Sequence, residues 1–388
     1  MSTIQELLRE LCPNGVEHRP LGDLLDYEQP GKYIVKSTEY NDAFPTPVLT
    51  AGQSFILGYT NEDNGVYEAS KDMPVLIFDD FTTSFHWVDF PFKVKSSAMK
   101  LLSPKSDAAI FRYIFYAMRQ IKYEPVEHTR QWIGTYSAFV IPLPPLPIQE
   151  EIVRRLDAMQ DVVEALENEL ALRRKQYEAV RERLIDGAAP GAECKTLGDI
   201  ATSISRGSGI TRDQVFDDGI PCVRYGEIYT SYGPCFKNCI SHTKKGCVAT
   251  PKYFSHGDIL FAITGEKVED IAKSTAYLGF DSCLAGGDIV VMKHDQNPVY
   301  LGHVLCSPRV LAQKRRGKVK SKVVHSSVPE IQRIQIPVPP LPVQEDIAKK
   351  LDAFDELVNV ALPAEIAARR RAMEAVRERC FAALEAMG

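Results

Sequence analysis

The sequence predicts an α+β protein: two globular domains of mixed helix and strand, each running into one long coiled-coil-type helix, the whole arranged as a pseudo-two-fold repeat. Three observations lead to this. A strap-and-helix segment occurs twice, as IPLPPLPIQEEIVRRLDAM at 141–159 and IPVPPLPVQEDIAKKLDAF at 336–354, with 12 of 19 positions identical. The helices that follow carry apolar residues at heptad spacing. The segments before each strap are turn-rich and hold short β-branched and aromatic runs. The resulting boundaries are a first domain at 1–145, a helix at 146–187, a second domain at 188–340 and a helix at 341–388.

In the first domain, strands are expected at 75–78 and 139–141 and a helix at 111–120. The first long helix then shows Ile152, Leu156, Met159, Val163, Leu166, Leu170, Arg173, Tyr177, Val180 and Leu184, stepping by 4 and 3 with one polar member. Its prolines cannot continue a helix backwards, so it should start near Gln149 and end near Gly187, roughly 57 Å later. The second domain opens on Thr196-Leu-Gly-Asp-Ile200, a match to Pro20-Leu-Gly-Asp-Leu24 in the first. Strands are expected there at 220–224, 259–263 and 288–292, and a helix at 299–316.

The last helix repeats the seam with Ile347, Leu351, Phe354, Val358, Ile366, Arg369, Met373, Val376 and Cys380. EAVRER at 178–183 recurs at 374–379, so the second copy has one extra residue, and Pro363 nearby should kink the helix. Packing inside a single domain is the alternative for these seams. Their length argues against it, since helices of compact domains average ~10–14 residues.

The 388 residues include 46 basic and 51 acidic side chains, a net charge of −5, which at face value disfavours a phosphate-rich partner. By segment the picture changes: net −5 for 1–145, −3 and −2 for the two helices, and +5 for 188–340. The nine cysteines are odd in number and irregularly spaced, which implies no disulfide framework. With no apolar run of spanning length and no basic-then-apolar start, the chain is expected to be soluble and cytoplasmic.

Catalytic patterns are largely missing. There is no G-x-x-x-x-G-K-[ST] phosphate loop, and Glu266-Lys267 lacks the spacing of a metal-dependent nuclease. Asn297-Pro-Val-Tyr300 lacks the second proline of the amino-methyltransferase loop and is taken as a helix start. Cys235, Cys239, His242 and Cys247 could offer four zinc ligands, but without paired C-x-x-C knuckles no metal is assigned.

The duplicated straps, with PVLTAGQ (47–53), IFDDFTTS (77–84), FPFK (90–93) and VRYGEIY (223–229), resemble the specificity subunits of Type I restriction-modification systems across nearly the whole chain. The resemblance implies two target-recognition domains on antiparallel spacer helices, reading a bipartite, asymmetric DNA target, in a bacterial or archaeal cytoplasm. It also implies a chain with no active site and no cofactor of its own. Two methyltransferase subunits would bring S-adenosylmethionine for adenine-N6 methylation, and restriction subunits would bring ATP and Mg. A fused enzyme and a protein-only coiled-coil adaptor are the competing classes; cofactor binding by the chain would favour the first, absence of DNA selectivity in the complex the second.

Candidate DNA contacts in the first domain are Thr82, Thr83, Ser84 and His86 as base readers, with Lys93, Lys95, Lys100 and Arg130 toward phosphate. In the second they are Arg206, Arg224, Tyr225 and Lys267. The run Lys314, Arg315, Arg316, Lys318, Lys320 and Lys322 suggests a row of phosphate contacts. For His86 and Tyr225 a core role, and for Arg224 a structural ion pair, are equally compatible with the sequence.

Overall fold

The computed structural model describes residues 4–50, 52, 55–126, 129–188, 191–316, 318 and 322–387. The chain divides into two compact units, one of residues 1–166 with 366–388, the other of residues 167–365. Each unit therefore holds one globular head together with part of both long helices.

The head of the first unit is built on a four-stranded sheet, in the order Leu25–Glu28, Met99–Pro104, Val75–Asp79, Phe85–Val88. A three-stranded sheet, Ile56–Thr60, Thr46–Leu49 and Lys93–Val94, completes it. The run Val75-Leu-Ile-Phe78 is fully buried because its alternate residues serve two cores. Leu76 and Phe78 join Leu102 and the helix Phe111–Met118, while Val75 and Ile77 join Leu49, Val94 and Leu101.

The head of the second unit repeats this plan. Its main sheet runs Ala201–Arg206, Ile289–His294, Ile259–Ala262, Ser274–Tyr277, Cys235–Phe236. Again Ile259 and Phe261 face one core, and Leu260 and Ala262 the other. The second sheet repeats a pairing as well: Ile220–Val223 has one antiparallel and one parallel neighbour, just as Thr46–Leu49 does.

The straps are duplicated in hydrogen-bonding detail. Glu17–Pro20 pairs antiparallel with Val140–Leu143, and Glu193–Thr196 with Gln335–Val338. In one unit the buried Gln149 donates to Pro144 O (2.8 Å) and accepts from Ile110 N (2.9 Å), the residue capping Phe111–Met118. In the other, Gln344 donates to Pro339 O (2.8 Å) and accepts from Asn297 N (3.0 Å), the cap of Pro298–Val304. Tyr113 and Tyr300 donate to the strap carbonyls of Pro142 (2.6 Å) and Pro337 (2.8 Å).

The first long helix is Leu146–Ala188, 43 residues and about 65 Å long. It starts three residues before the expected Gln149, because Pro147 sits in the first turn, where its missing N–H has no intrahelical partner to lose. Among the seam residues, Ile152, Leu156, Val163, Tyr177, Ile347, Leu351, Val358, Ile366 and Met373 are buried. Met159, Leu166, Leu170 and Phe354 are half-buried. The helices are antiparallel. In the first unit Ile152 and Leu156 cluster with Met373, Cys380 and Leu384; in the second, Tyr177 and Ile185 cluster with Ile347, Leu351 and Val358.

Two sequence expectations are corrected. The extra residue of the second copy is absorbed as a π-helical stretch, Leu357–Ala361, between the α-helical stretches Leu341–Glu356 and Leu362–Glu385. A one-residue insertion widens a helical turn locally instead of breaking it. Pro363 then falls in the first turn of the following α-helical stretch. The helix expected at 299–316 is two helices, Pro298–Val304 and Pro308–Arg315, interrupted where Pro308 starts a new N-terminus.

Candidate nucleic-acid interface

In the first head, Thr82, Thr83 and Ser84 form the turn between Val75–Asp79 and Phe85–Val88. Asp79 Oδ1 accepts from the N–H groups of Phe81 and Thr82, both at 2.9 Å, and the Thr82 and Ser84 hydroxyls lie 2.7 Å apart. Thr83 has a left-handed backbone (φ 59°), unusual for a β-branched residue. Thr82 is exposed, and so is Arg130. His86 stacks on Phe55 (4.7 Å between centroids) and donates to Gly52 O at 3.2 Å, so it is packed into the head.

The structure places two of the expected phosphate-binding lysines inside. Lys93 is 1% exposed, with its ammonium 3.2 Å from Glu62 and bonded to the carbonyls of Asn64 and Gly65. Lys100, also buried, lies 3.2 Å from Asp80. An ammonium at either place is committed to an internal carboxylate and cannot reach DNA, because burial demands a partner. Lys95 is exposed and bonded to the Tyr40 hydroxyl at 3.1 Å.

In the second head, Arg206 pairs with Asp288 (2.7 Å). Arg224 pairs with Glu227 (2.9 Å), whose carboxylate also accepts from Arg224 N and the Ser241 hydroxyl. Arg224 is thus the structural ion pair of the two alternatives. Tyr225 is exposed and lines a cavity of about 760 Å³ with Glu266, Lys267, Asp270 and Lys322. A neighbouring cavity of about 420 Å³ shares Tyr225 and Thr230 and adds Arg212.

The basic run separates by burial. Lys314 is 4% exposed and donates to Ser274 Oγ and Leu305 O, both at 2.9 Å; burial pushes its ammonium down to about 8. Lys318 pairs with Glu330 at 2.6 Å and donates to His325 O at 2.7 Å. The row of phosphate contacts is therefore corrected at these two positions, since both ammonium groups are consumed within the head. Arg315, Arg316 and Lys322 are exposed, Arg315 bonding Glu269 O at 2.9 Å, and Lys320 lies outside the described residues.

Arg212, Thr264 and Asp270, which sequence reasoning did not single out, line the two cavities beside Tyr225 as well. The available signal was a polar stretch interrupting two apolar strands at 263–272. Among the described residues, no group of three or more His, Cys, Asp or Glu is gathered to hold a metal ion. Cys239 instead neighbours Cys283, and that neighbour, together with burial, raises its thiol. No helix of the described residues is long and apolar enough to cross a membrane.

These features define an internally duplicated protein with two sheet-based heads, each joined to stretches of two long helices, and with polar clefts on the second head. A family signature described as the Type I restriction modification DNA specificity domain matches residues 13–172 and 191–368. The chain is 34% identical over 397 residues to the EcoR124I/EcoR124II specificity subunit of Escherichia coli, covering 98% of each. It is 24% identical over 391 residues to a putative type I specificity subunit, S.HindORF215P, of Haemophilus influenzae, covering 94% of each. Among solved structures, the Type I S subunit from M. genitalium superposes with a TM-score of 0.56 at 12% identity, over 95% of this chain and 97% of that one. A chain from a structure of type I R-M complex assembly gives 0.54 at 15% identity, over 95% and 98%. The chain belongs to the family of DNA specificity subunits of Type I restriction-modification systems, a non-catalytic family.

Proposed function

We propose that this chain reads a bipartite, asymmetric DNA target, one half-site per head, with the helix pair acting as a ruler that fixes an unread gap. The observation that carries this is the duplication: the two heads share the order of four main-sheet strands and the strap hydrogen bonds, yet carry different exposed candidate readers. A conserved mount with divergent surfaces supplies two different half-site specificities on one pseudo-symmetric scaffold. The same reading assigns the chemistry to partners. Two methyltransferase subunits carry S-adenosylmethionine, restriction subunits carry ATP and Mg, and this chain recruits them without a cofactor of its own.

The ruler is testable by length. Removing one heptad from each long helix at facing levels shortens the pair by about 10 Å, equivalent to about three base pairs. The assembled complex is expected to change or lose its permitted gap while both half-sites stay the same; an unchanged gap would contradict the ruler.

A further inference from the structure

We propose that one hairpin, with the segment clamped across its base, is the base-reading edge in both heads, and that Glu266 and Lys267 read bases in the second. This rests on the bipartite reading above and extends it to named side chains. Among the described residues, the non-glycine positions with left-handed backbone are Thr83 (φ 59°) and Ala272 (φ 56°). Each stands two residues before the return strand of the same hairpin: Thr83 before Phe85–Val88, and Ala272 before Ser274–Tyr277. The first partner strands, Val75–Asp79 and Ile259–Ala262, are equivalent buried strands of the two main sheets.

The clamp across the hairpin is duplicated too. Gln131 N donates to Asp80 O, one residue past the first strand, at 2.8 Å; Ser326 N donates to Ile263 O, likewise one residue past its strand, at 2.8 Å. Gln131 and Ser326 are 195 residues apart, the offset of the straps themselves. The two heads therefore hold the same hairpin by the same bond, and what differs is what the hairpin displays. The first is a tight turn carrying Thr82 and Ser84 beside exposed Arg130. The second is a longer loop carrying exposed Glu266 and Lys267, facing Tyr225 and Lys322 across the 760 Å³ cavity.

Held backbone with divergent polar tips is what sequence discrimination requires. Left-handed non-glycine residues persist where the surroundings over-determine them, and they cluster at sites of function. A carboxylate accepts from the cytosine amino group and an ammonium donates to guanine O6 and N7, so adjacent Glu266 and Lys267 suit a G·C-containing step.

The test uses the assembled methyltransferase complex, with the motif methylated in cells mapped genome-wide and assembly checked by size-exclusion chromatography. Glu266→Ala/Lys267→Ala is expected to relax one or two positions of one half-site by about tenfold or more. Thr82→Ala/Ser84→Ala is expected to affect the other half-site alone. An unchanged motif, a uniform loss over all sites, two variants that alter the same half-site, or failure of the exposed Glu266/Lys267 variant to assemble would each overturn the proposal. If the wild-type gene confers no split motif, the functional reading fails instead, which keeps the two failures apart.

Discussion

Lys93 and Lys267 carry the same charge on equivalent heads, but one ammonium is enclosed and the other is not. Lys93 sits between Glu62 and two carbonyls at 1% exposure, where removing the ammonium leaves a half-buried carboxylate and two carbonyls without that partner. Lys93→Ala is expected to destabilise the first head by about 2 kcal/mol in thermal unfolding while leaving base preference intact. A change of preference without destabilisation would return Lys93 to the DNA surface. The same contrast explains which candidates the sequence placed correctly at the surface. Tyr225 and Lys267 are exposed, as polar residues beside turns are by default, whereas Lys93, Lys100, Lys314 and Lys318 read as surface cations but are enclosed. Their partners Glu62, Asp80 and Glu330 lie 12 to 31 residues away, beyond any local pattern, and Lys314 meets Ser274 and Leu305 O instead.

At the scale of elements, the join between head and helix is the informative place. In the second unit the Tyr177 hydroxyl of the long helix lies 2.9 Å from Nδ1 of buried His303 and donates to Asp355 at 3.1 Å. Burial, with Arg181 nearby, pushes the imidazole down to about 4 from its ordinary 6.5. The folded chain thus refuses a proton that the unfolded chain accepts below pH 6.5. Stability from this group is complete above pH 6.5 and is lost as pH falls toward 4, by up to about 3 kcal/mol. His303→Gln should flatten the acid limb of unfolding over that window; an acid limb identical to wild type would refute the assignment.

Heptad spacing gave the long helices directly, because a seam of apolar residues has only one helical reading. The π-helical stretch was visible as the one-residue offset between copies, though its form was not, because the offset does not say which turn takes up the extra residue. The short strands of the second sheets were less legible, since pairs such as Lys93–Val94 and Tyr253–Phe254 span two residues each and are set by tertiary pairing.

For the whole molecule, duplication is the organising fact. A net charge of −5 conceals a +5 second head and a −5 first head on acidic helices. Under the proposed division of labour, specificity lies in this chain and much of the phosphate contact in the methyltransferase partners. What the strap offset made readable was the repeat, and from it the two-headed plan. What it left unread was the target, because under the proposed reading the residues that choose bases are ones the two copies do not share.

The central claim is that one chain supplies a split specificity to partner enzymes. Methylome sequencing of cells with and without this gene addresses it directly. The expected result is loss of one adenine-methylation motif made of two dissimilar half-sites around an unread gap; an unchanged methylome, or loss of a continuous ungapped motif, would contradict it.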